Sequence, residues 1–188
     1  MNKCLIVGLG NPGAEYENTR HNIGFRAADA FTKANKGIFE TKRLAEVAET
    51  KVKGKTFIIV KPNTFMNLSG KAVNYWMQEE KILMENILVV TDDIALPLGT
   101  LRMRSKGSDG GHNGLKNISE VLNSPSYVRL RFGVGNEFSK GKQVDYVLGE
   151  WTNEEEKVLP ERIELVCEMI KNFGLIGAEK TMSMFNGK

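Results

Sequence analysis

The sequence predicts a single α/β domain over residues 1–188, a twisted mixed β-sheet with helices on both faces. Three observations predict it. Short apolar runs, Cys4–Leu9, Phe57–Val60 and Ile87–Val90, read as strands buried on both faces. Segments with apolar residues at helical spacing alternate with them. The turn Lys53-Gly54-Lys55 inside Val47–Val60 reads as a hairpin, which mixes antiparallel pairs into the sheet.

Taken in order, Cys4–Leu9 is a central strand ended by glycine, and the loop Gly10–Arg20 follows. Ile23, Ala27, Ala30, Phe31 and Ala34 make Asn22–Asn35 an amphipathic helix. After the hairpin, Ser69–Glu80 is a second helix and Ile87–Val90 a buried strand. Leu98–Arg104 reads as a strand after a proline-containing turn, Leu115–Leu122 as a helix, and Val128–Val134 as a strand ending in glycines. Thr152-Asn153-Glu154-Glu155 is a capping box. The helix it opens carries the stripe Leu159, Ile163, Val166, Ile170 and Phe173, and Pro160 is expected to kink or restart it. Residues 135–173, a glycine-led segment and the helix behind it, are a candidate lid. No internal repeat or low-complexity stretch interrupts the chain.

The composition, 41% hydrophobic and 26% charged, is that of an ordinary soluble protein. No apolar run approaches the roughly 20 residues of a membrane span. The run Cys4–Val7 is too short for a signal peptide, so the expected location is cytoplasmic. Cys4 and Cys167 are expected to be buried, reduced thiols. The net charge of +3 does not by itself imply a nucleic-acid partner.

Several loops carry residues suited to chemistry. Gly8-Leu9-Gly10-Asn11-Pro12-Gly13 matches a dinucleotide fingerprint after a strand. However, Pro12-Gly13 is a turn pair, no helix starts at once, and the acidic residue closing a second strand is missing. The tight turn serves better to place Asn11 at a strand's carboxyl end. His21, in Thr19-Arg20-His21-Asn22, stands at a helix start, whose partial positive charge favours a neutral ring able to act as a base; a capping role fits its spacing equally. Asn67, in Thr64–Gly70, follows another strand and suits either an oxyanion or a helix cap. Asp92 suits orienting His21, binding a metal, or capping a turn. The loop Gly107–Gly114 holds His112 and Asn113, and its glycines suit close backbone approach or a flexible connector. Arg102, Arg104 and Lys106 share one face of a strand, and Arg129 and Arg131 share one face of another. With Lys116 these form either a phosphate-binding patch or a solvated face.

Together these segments resemble the bacterial peptidyl-tRNA hydrolase family. The resemblance rests on Val7–Gly13, Tyr16 with Thr19–Asn22, Lys61-Pro62 through Gly70, Gly107–Gly114, Arg129–Arg131 with Gly133 and Gly135, and Val147–Gly149. It runs in order over nearly the whole chain. It implies hydrolysis of the ester of peptidyl-tRNA by a monomer without metal or cofactor. It implies that His21 is the catalytic base and Asp92 the carboxylate that supports it. Asn11, Asn67 and Asn113 would hold the peptide and the tRNA 3′ end. Met66 and Tyr16 would form cleft walls, His112 a second cleft histidine, and Arg104 and Arg131 tRNA contacts. Asp109 departs from the small or neutral residue of many relatives, and an acid there would repel phosphate. Thr91 and Ala95 replace a histidine and an aspartate of some relatives.

The chemistry agrees with that implication. An ester needs no covalent nucleophile, and the chain has no G-x-S-x-G elbow. A base-activated water suffices, and paired amide donors and acceptors suit reading a peptide bond. The rival readings are a nucleotide-binding oxidoreductase on Gly8–Gly13, a metal-dependent hydrolase using His21, Asp92 and His112, and an RNA-binding module without activity.

Overall fold

The computed structural model describes residues 2–188. Seven strands form one sheet: β1 (Lys3–Gly8), β2 (Glu40–Lys42), β3 (Ala45–Val52), β4 (Lys55–Pro62), β5 (Ile87–Asp93), β6 (Leu101–Arg104) and β7 (Val128–Gly133). Their order is β2-β3-β4-β1-β5-β7-β6. The central pairs β4/β1, β1/β5 and β5/β7 are parallel, and the pairs toward both edges are antiparallel. The mixed sheet expected from the sequence is present. The turn between β3 and β4 has positive φ at both Lys53 and Gly54, as a two-residue hairpin requires.

Six α-helices cover the sheet: α1 (Ile23–Ala34), α2 (Ser69–Glu79), α3 (Asn113–Leu122), α4 (Gln143–Val147), α5 (Asn153–Ile176) and α6 (Ala178–Phe185). The alternation of strand side chains divides the core in two. Cys4, Ile6, Phe57, Ile59, Leu88 and Val90 pack with α1 and α5 on one face. Leu5, Val7, Ile58, Val60, Ile87 and Val89 pack with α2 and α3 on the other. Continuous apolar runs in β1, β4 and β5 are thus the consequence of two covered faces.

Gly8 and Gly24 let α1 sit directly on the sheet. A Cβ on Gly8 would lie 2.2 Å from the Gly24 carbonyl oxygen, and one on Gly24 only 2.5 Å from that of Val90. The first glycine of the dinucleotide-like motif therefore serves helix–strand contact.

Three expectations need correction. The strand expected at Leu98–Arg104 begins only at Leu101: Gly99, at φ 79°, and Thr100 both bond to Gly133, two residues against one, so regular pairing gives way to a bulge there. Pro160 does not restart the last helix: α5 runs unbroken from Asn153 to Ile176. Pro160 is exposed, where a freed carbonyl can hydrate. Cys4 is buried as expected, but Cys167 is only half-buried. Both thiols are free, and burial pushes them up, to about 12 and about 11.

β2, α4 and α6 had no counterpart in the sequence reading. α6 brings Asn186 to the edge strand β6, where its amide donates to the Met103 carbonyl and accepts from the Met103 N–H. The amide stands where another strand would pair and blunts that edge.

Candidate active site

The carboxyl ends of β1, β4 and β5 open on one crevice, where the chain crosses from β4 over β1 to β5. Open α/β sheets bind ligands at such a switch point. A cleft of about 260 Å³ lies there, and its lining includes Asn11, His21, Met66, Asn67, Asp92, His112, Asn113 and Arg131. Eight of the ten site residues expected from the sequence thus surround one cavity.

Asp92 is at its centre. β5 is longer than the apolar run suggested, and its last turn outward presents Asp92, 3% exposed, between two histidines. Asp92 Oδ2 lies 2.8 Å from His21 Nδ1 and Oδ1 lies 2.8 Å from His112 Nε2. The two imidazole rings are 5.0 Å apart between centroids. Burial opposes ionisation of Asp92, but the facing histidines outweigh it and hold the carboxyl well below the usual range. For His21, burial acts to lower its value, yet the charge and hydrogen bond of Asp92 prevail and raise it. The helix-start argument expected a neutral ring; the neighbouring carboxylate acts the other way, and it is closer.

His112 is the N-cap of α3. Its Nδ1 accepts from the N–H groups of Gly114 and Leu115, at 3.1 and 3.3 Å. The Thr91 hydroxyl, fully buried, is 2.7 Å from His112 Nε2.

The asparagines have distinct duties. The Asn11 side-chain oxygen accepts from the Met66 N–H at 2.7 Å, tying the ends of β1 and β4 together and turning Nδ2 to other partners. Asn22 holds Asn11 from behind. Its Oδ1 accepts from the Asn11 N–H at 2.8 Å, and its Nδ2 donates to the Asn11 carbonyl at 2.9 Å. Asn67 and Asn113 line the cleft and are exposed. Tyr16 does not line it: its ring stands edge-on behind Phe65, at 6.4 Å, and Phe65 forms the wall.

The arginines divide as well. Register places Arg102 opposite Arg131 and Arg104 opposite Arg129, so all four share a face. Arg129, however, is fully buried. Its guanidinium donates to the carbonyls of Gly107, Pro125 and Tyr127, so it anchors the glycine loop and cannot join a solvated patch. Arg131 lines the cleft, donates to the Ser108 carbonyl at 2.8 Å and lies 3.5 Å from Asp93. Arg104 is outside the cleft and exposed, and it donates to the neighbouring Met103 carbonyl. Asp109 accepts from the Gly111 N–H at 2.8 Å, so the unusual acid shapes the loop leading to His112.

His21, Asp92 and His112 are the one group of potential metal ligands among the described residues. Their hydrogen bonds do not fit a cation. A neutral imidazole has one lone pair, and His112 Nδ1 uses it on α3, so the nitrogen facing Asp92 carries the proton.

Sequence reasoning gave no site role to Asn22, Thr91 or Phe65, and it placed Gln143, Val144, Val147 and Leu148 in a candidate lid without seeing that they line the cleft. The last four recur at helical spacing, a signal the short α4 does contain.

The comparisons with known proteins bear on the family and the fold. Residues 5–188 match the family model described as peptidyl-tRNA hydrolase. The chain belongs to that family. Among curated relatives, the peptidyl-tRNA hydrolase of Cytophaga hutchinsonii is 57% identical over 186 residues, covering 99% of each chain. That of Porphyromonas gingivalis is 56% identical over 184 residues, covering 98% of this chain and all of the relative. The crystal structure of peptidyl-tRNA hydrolase from Acinetobacter baumannii superposes with a TM-score of 0.93 at 30% identity, covering 99% of this chain and 95% of that one. Family members of this description are enzymes, and the α/β fold expected from the sequence is theirs. No helix among the described residues is long and apolar enough to cross a membrane.

Proposed function

We propose that this chain hydrolyses the ester between peptide and tRNA in peptidyl-tRNA, with His21 as general base on a water molecule. The observation that carries the mechanism is the His21 Nδ1–Asp92 Oδ2 hydrogen bond at the head of an asparagine-lined cleft. His21 Nδ1–H donates to the Asp92 carboxylate, which leaves Nε2 as the nitrogen that accepts a proton from water. The hydroxide attacks the ester carbonyl, the bond to the ribose oxygen breaks, and the His21 imidazolium returns its proton to that oxygen, so that a free peptide carboxylate and a tRNA with its ribose hydroxyl separate. Among the described residues no serine or cysteine lines the cleft as a nucleophile, and the buried Cys4 is held protonated.

Asn11 Nδ2, Asn67 and Asn113 supply amides for the substrate's own amide groups and for the tRNA 3′ end. An aminoacyl-tRNA without a peptide bond would leave them unpaired, which selects against it. The exposed face of β6 with Arg104, and Arg131 at the cleft, would meet tRNA phosphate. We read the enzyme as a cytoplasmic monomer without metal or cofactor. Residues 135–148, which carry Gln143 and Val144 into the cleft wall, are the part we expect to act as a lid over bound substrate.

The test is peptide release from peptidyl-tRNA, with aminoacyl-tRNA as the control. His21→Ala should lose roughly 10²–10⁴-fold in turnover and keep its affinity for tRNA. Near-normal turnover in that variant would sink the assignment.

A further inference from the structure

The resemblance to relatives made His112 a second cleft histidine. Its surroundings give it another duty. Both ring nitrogens already have protein partners, and the side chain is only 10% exposed. Nδ1 accepts from two backbone N–H groups, which are donors and nothing else. That nitrogen therefore carries a lone pair and no proton. The ring's single proton sits on Nε2, 2.8 Å from Asp92 Oδ1 and 2.7 Å from the Thr91 hydroxyl. Protonating Nδ1 as well would turn an acceptor into a donor against the Gly114 and Leu115 N–H groups and break the cap of α3.

We propose that His112 is a positioning residue, locked by the start of α3 in its neutral Nε2–H tautomer, which holds Asp92 Oδ1 so that Oδ2 faces His21. This rests on His21 being the general base. The consequence is a division of labour between two histidines on one carboxylate. His21 gains and loses a proton in each turnover, while His112 stays neutral and keeps Asp92 from rotating. A second imidazolium 5.0 Å from that of His21 is avoided. His112 also shares part of the Asp92 charge, and so limits how tightly His21 retains its proton. The other charged groups at this cleft are Asp93, Asp109 and Arg131. Asp93 and Arg131 face each other, and Asp109 is turned to the Gly111 N–H.

Two amide variants separate the two ring nitrogens. In His112→Asn the side-chain oxygen replaces Nδ1, so the cap of α3 is kept and the donor to Asp92 is lost. In His112→Gln the amide reaches to where Nε2 was, so the donor is kept and the cap weakened. We expect His112→Asn to keep the wild-type Tm and lose roughly ten- to hundredfold in kcat with KM little changed. The acid limb of its kcat/KM profile should move up by about half a unit to one unit, because Asp92 then holds the His21 proton more strongly. His112→Gln should lower Tm and leave the acid limb in place. A rise in KM alone for His112→Asn, or an unmoved acid limb, would overturn the proposal and return His112 to the substrate.

The ring-nitrogen NMR shifts of His112 in the unliganded wild-type protein give a second readout. They should report an unprotonated Nδ1 and a protonated Nε2. A proton on Nδ1 would also overturn it. This measurement needs no substrate, so failure of the hydrolysis reading and failure of the His112 assignment are distinguishable.

Discussion

Arg20, next to the proposed base, reaches across to Glu155 in the capping box of α5. Its Nη2 lies 2.8 Å from Oε1 and its Nε 3.4 Å from Oε2. The same carboxylate accepts from the Thr152 N–H. The guanidinium also donates to the Tyr146 carbonyl and stacks on the Tyr146 ring at 4.2 Å. The Arg20 N–H donates to the Gly149 carbonyl. One side chain thus fastens the His21 loop to the segment that carries α4 into the cleft.

Arg20→Ala should therefore destabilise the protein by about 3 kcal/mol, since it leaves one partner of a largely buried pair alone. Arg20→Lys should rescue only part, because an ammonium lacks the fork. Urea denaturation measures the loss, and faster amide exchange across residues 143–150 would locate it. Burial acts to raise the Glu155 carboxyl, but its bonds to Arg20 and Thr152 prevail and hold it below its ordinary value. A lowered carboxyl stabilises above that ordinary value, about 4.3, and loses its contribution as pH falls. The gap between wild type and Arg20→Ala should hence shrink below about pH 4. A gap independent of pH would mean that the ring stacking, and not the ion pair, does the fastening.

Arg104 and Arg131 should behave differently although both are expected to meet tRNA. Arg104 is exposed on an edge strand and bonded only to its neighbour's carbonyl. Arg104→Ala should weaken tRNA binding, reduce the slope of log Kd against log salt by about 1, and change stability by less than about 0.5 kcal/mol. Arg131 also braces Asp93 and the Ser108 carbonyl. Arg131→Ala should show the same salt effect together with a lower Tm. Tm values alike in the two variants would remove the bracing role, and unchanged tRNA binding at every salt concentration would remove the patch.

The sequence made the strand ends legible because buried parallel strands read as apolar runs, and polar residues such as Asn11, Asn67 and Asp92 come at or soon after the ends of those runs. The helix faces followed from periodicity. Hidden from it was which polar group holds which. Nothing in the spacing of Asn22 distinguishes a residue facing solvent from one with both amide atoms on the backbone of Asn11, since that bond spans a loop. Arg129 and Arg131 looked alike, because strand alternation gives the face of the sheet and not the depth. Only the carbonyls of Gly107, Pro125 and Tyr127 show that Arg129 is committed. The short β2 and α6 hold too few residues for a period to emerge, and whether Pro160 restarts its helix depends on the exposure of its helix face, which is a tertiary fact.

Asp92 sets the pH range of the proposed reaction. His21 works as a base only when neutral, and Asp92 raises the pH at which it becomes so. The acid limb of kcat/KM should therefore lie above the ordinary histidine value of about 6.5. The same raised value makes a stability contribution that is full below about 6.5 and is lost as pH rises through the folded value. Stability should decline modestly where activity rises, and that decline should be missing from Asp92→Asn. In this variant the His112 Nε2–H keeps an acceptor if the oxygen of the substituted amide turns toward it. The amide NH₂ then faces His21 Nδ1 and drives the His21 proton to Nε2, the nitrogen needed for water. Turnover should fall roughly 10⁴-fold, as a wrong tautomer does in a serine protease triad, and what remains should have its acid limb at lower pH. Rate–pH profiles and urea denaturation from about pH 5 to 8 provide the check, the range in which a histidine titrates. An acid limb that stays in place in Asp92→Asn would mean that Asp92 does not control the His21 proton.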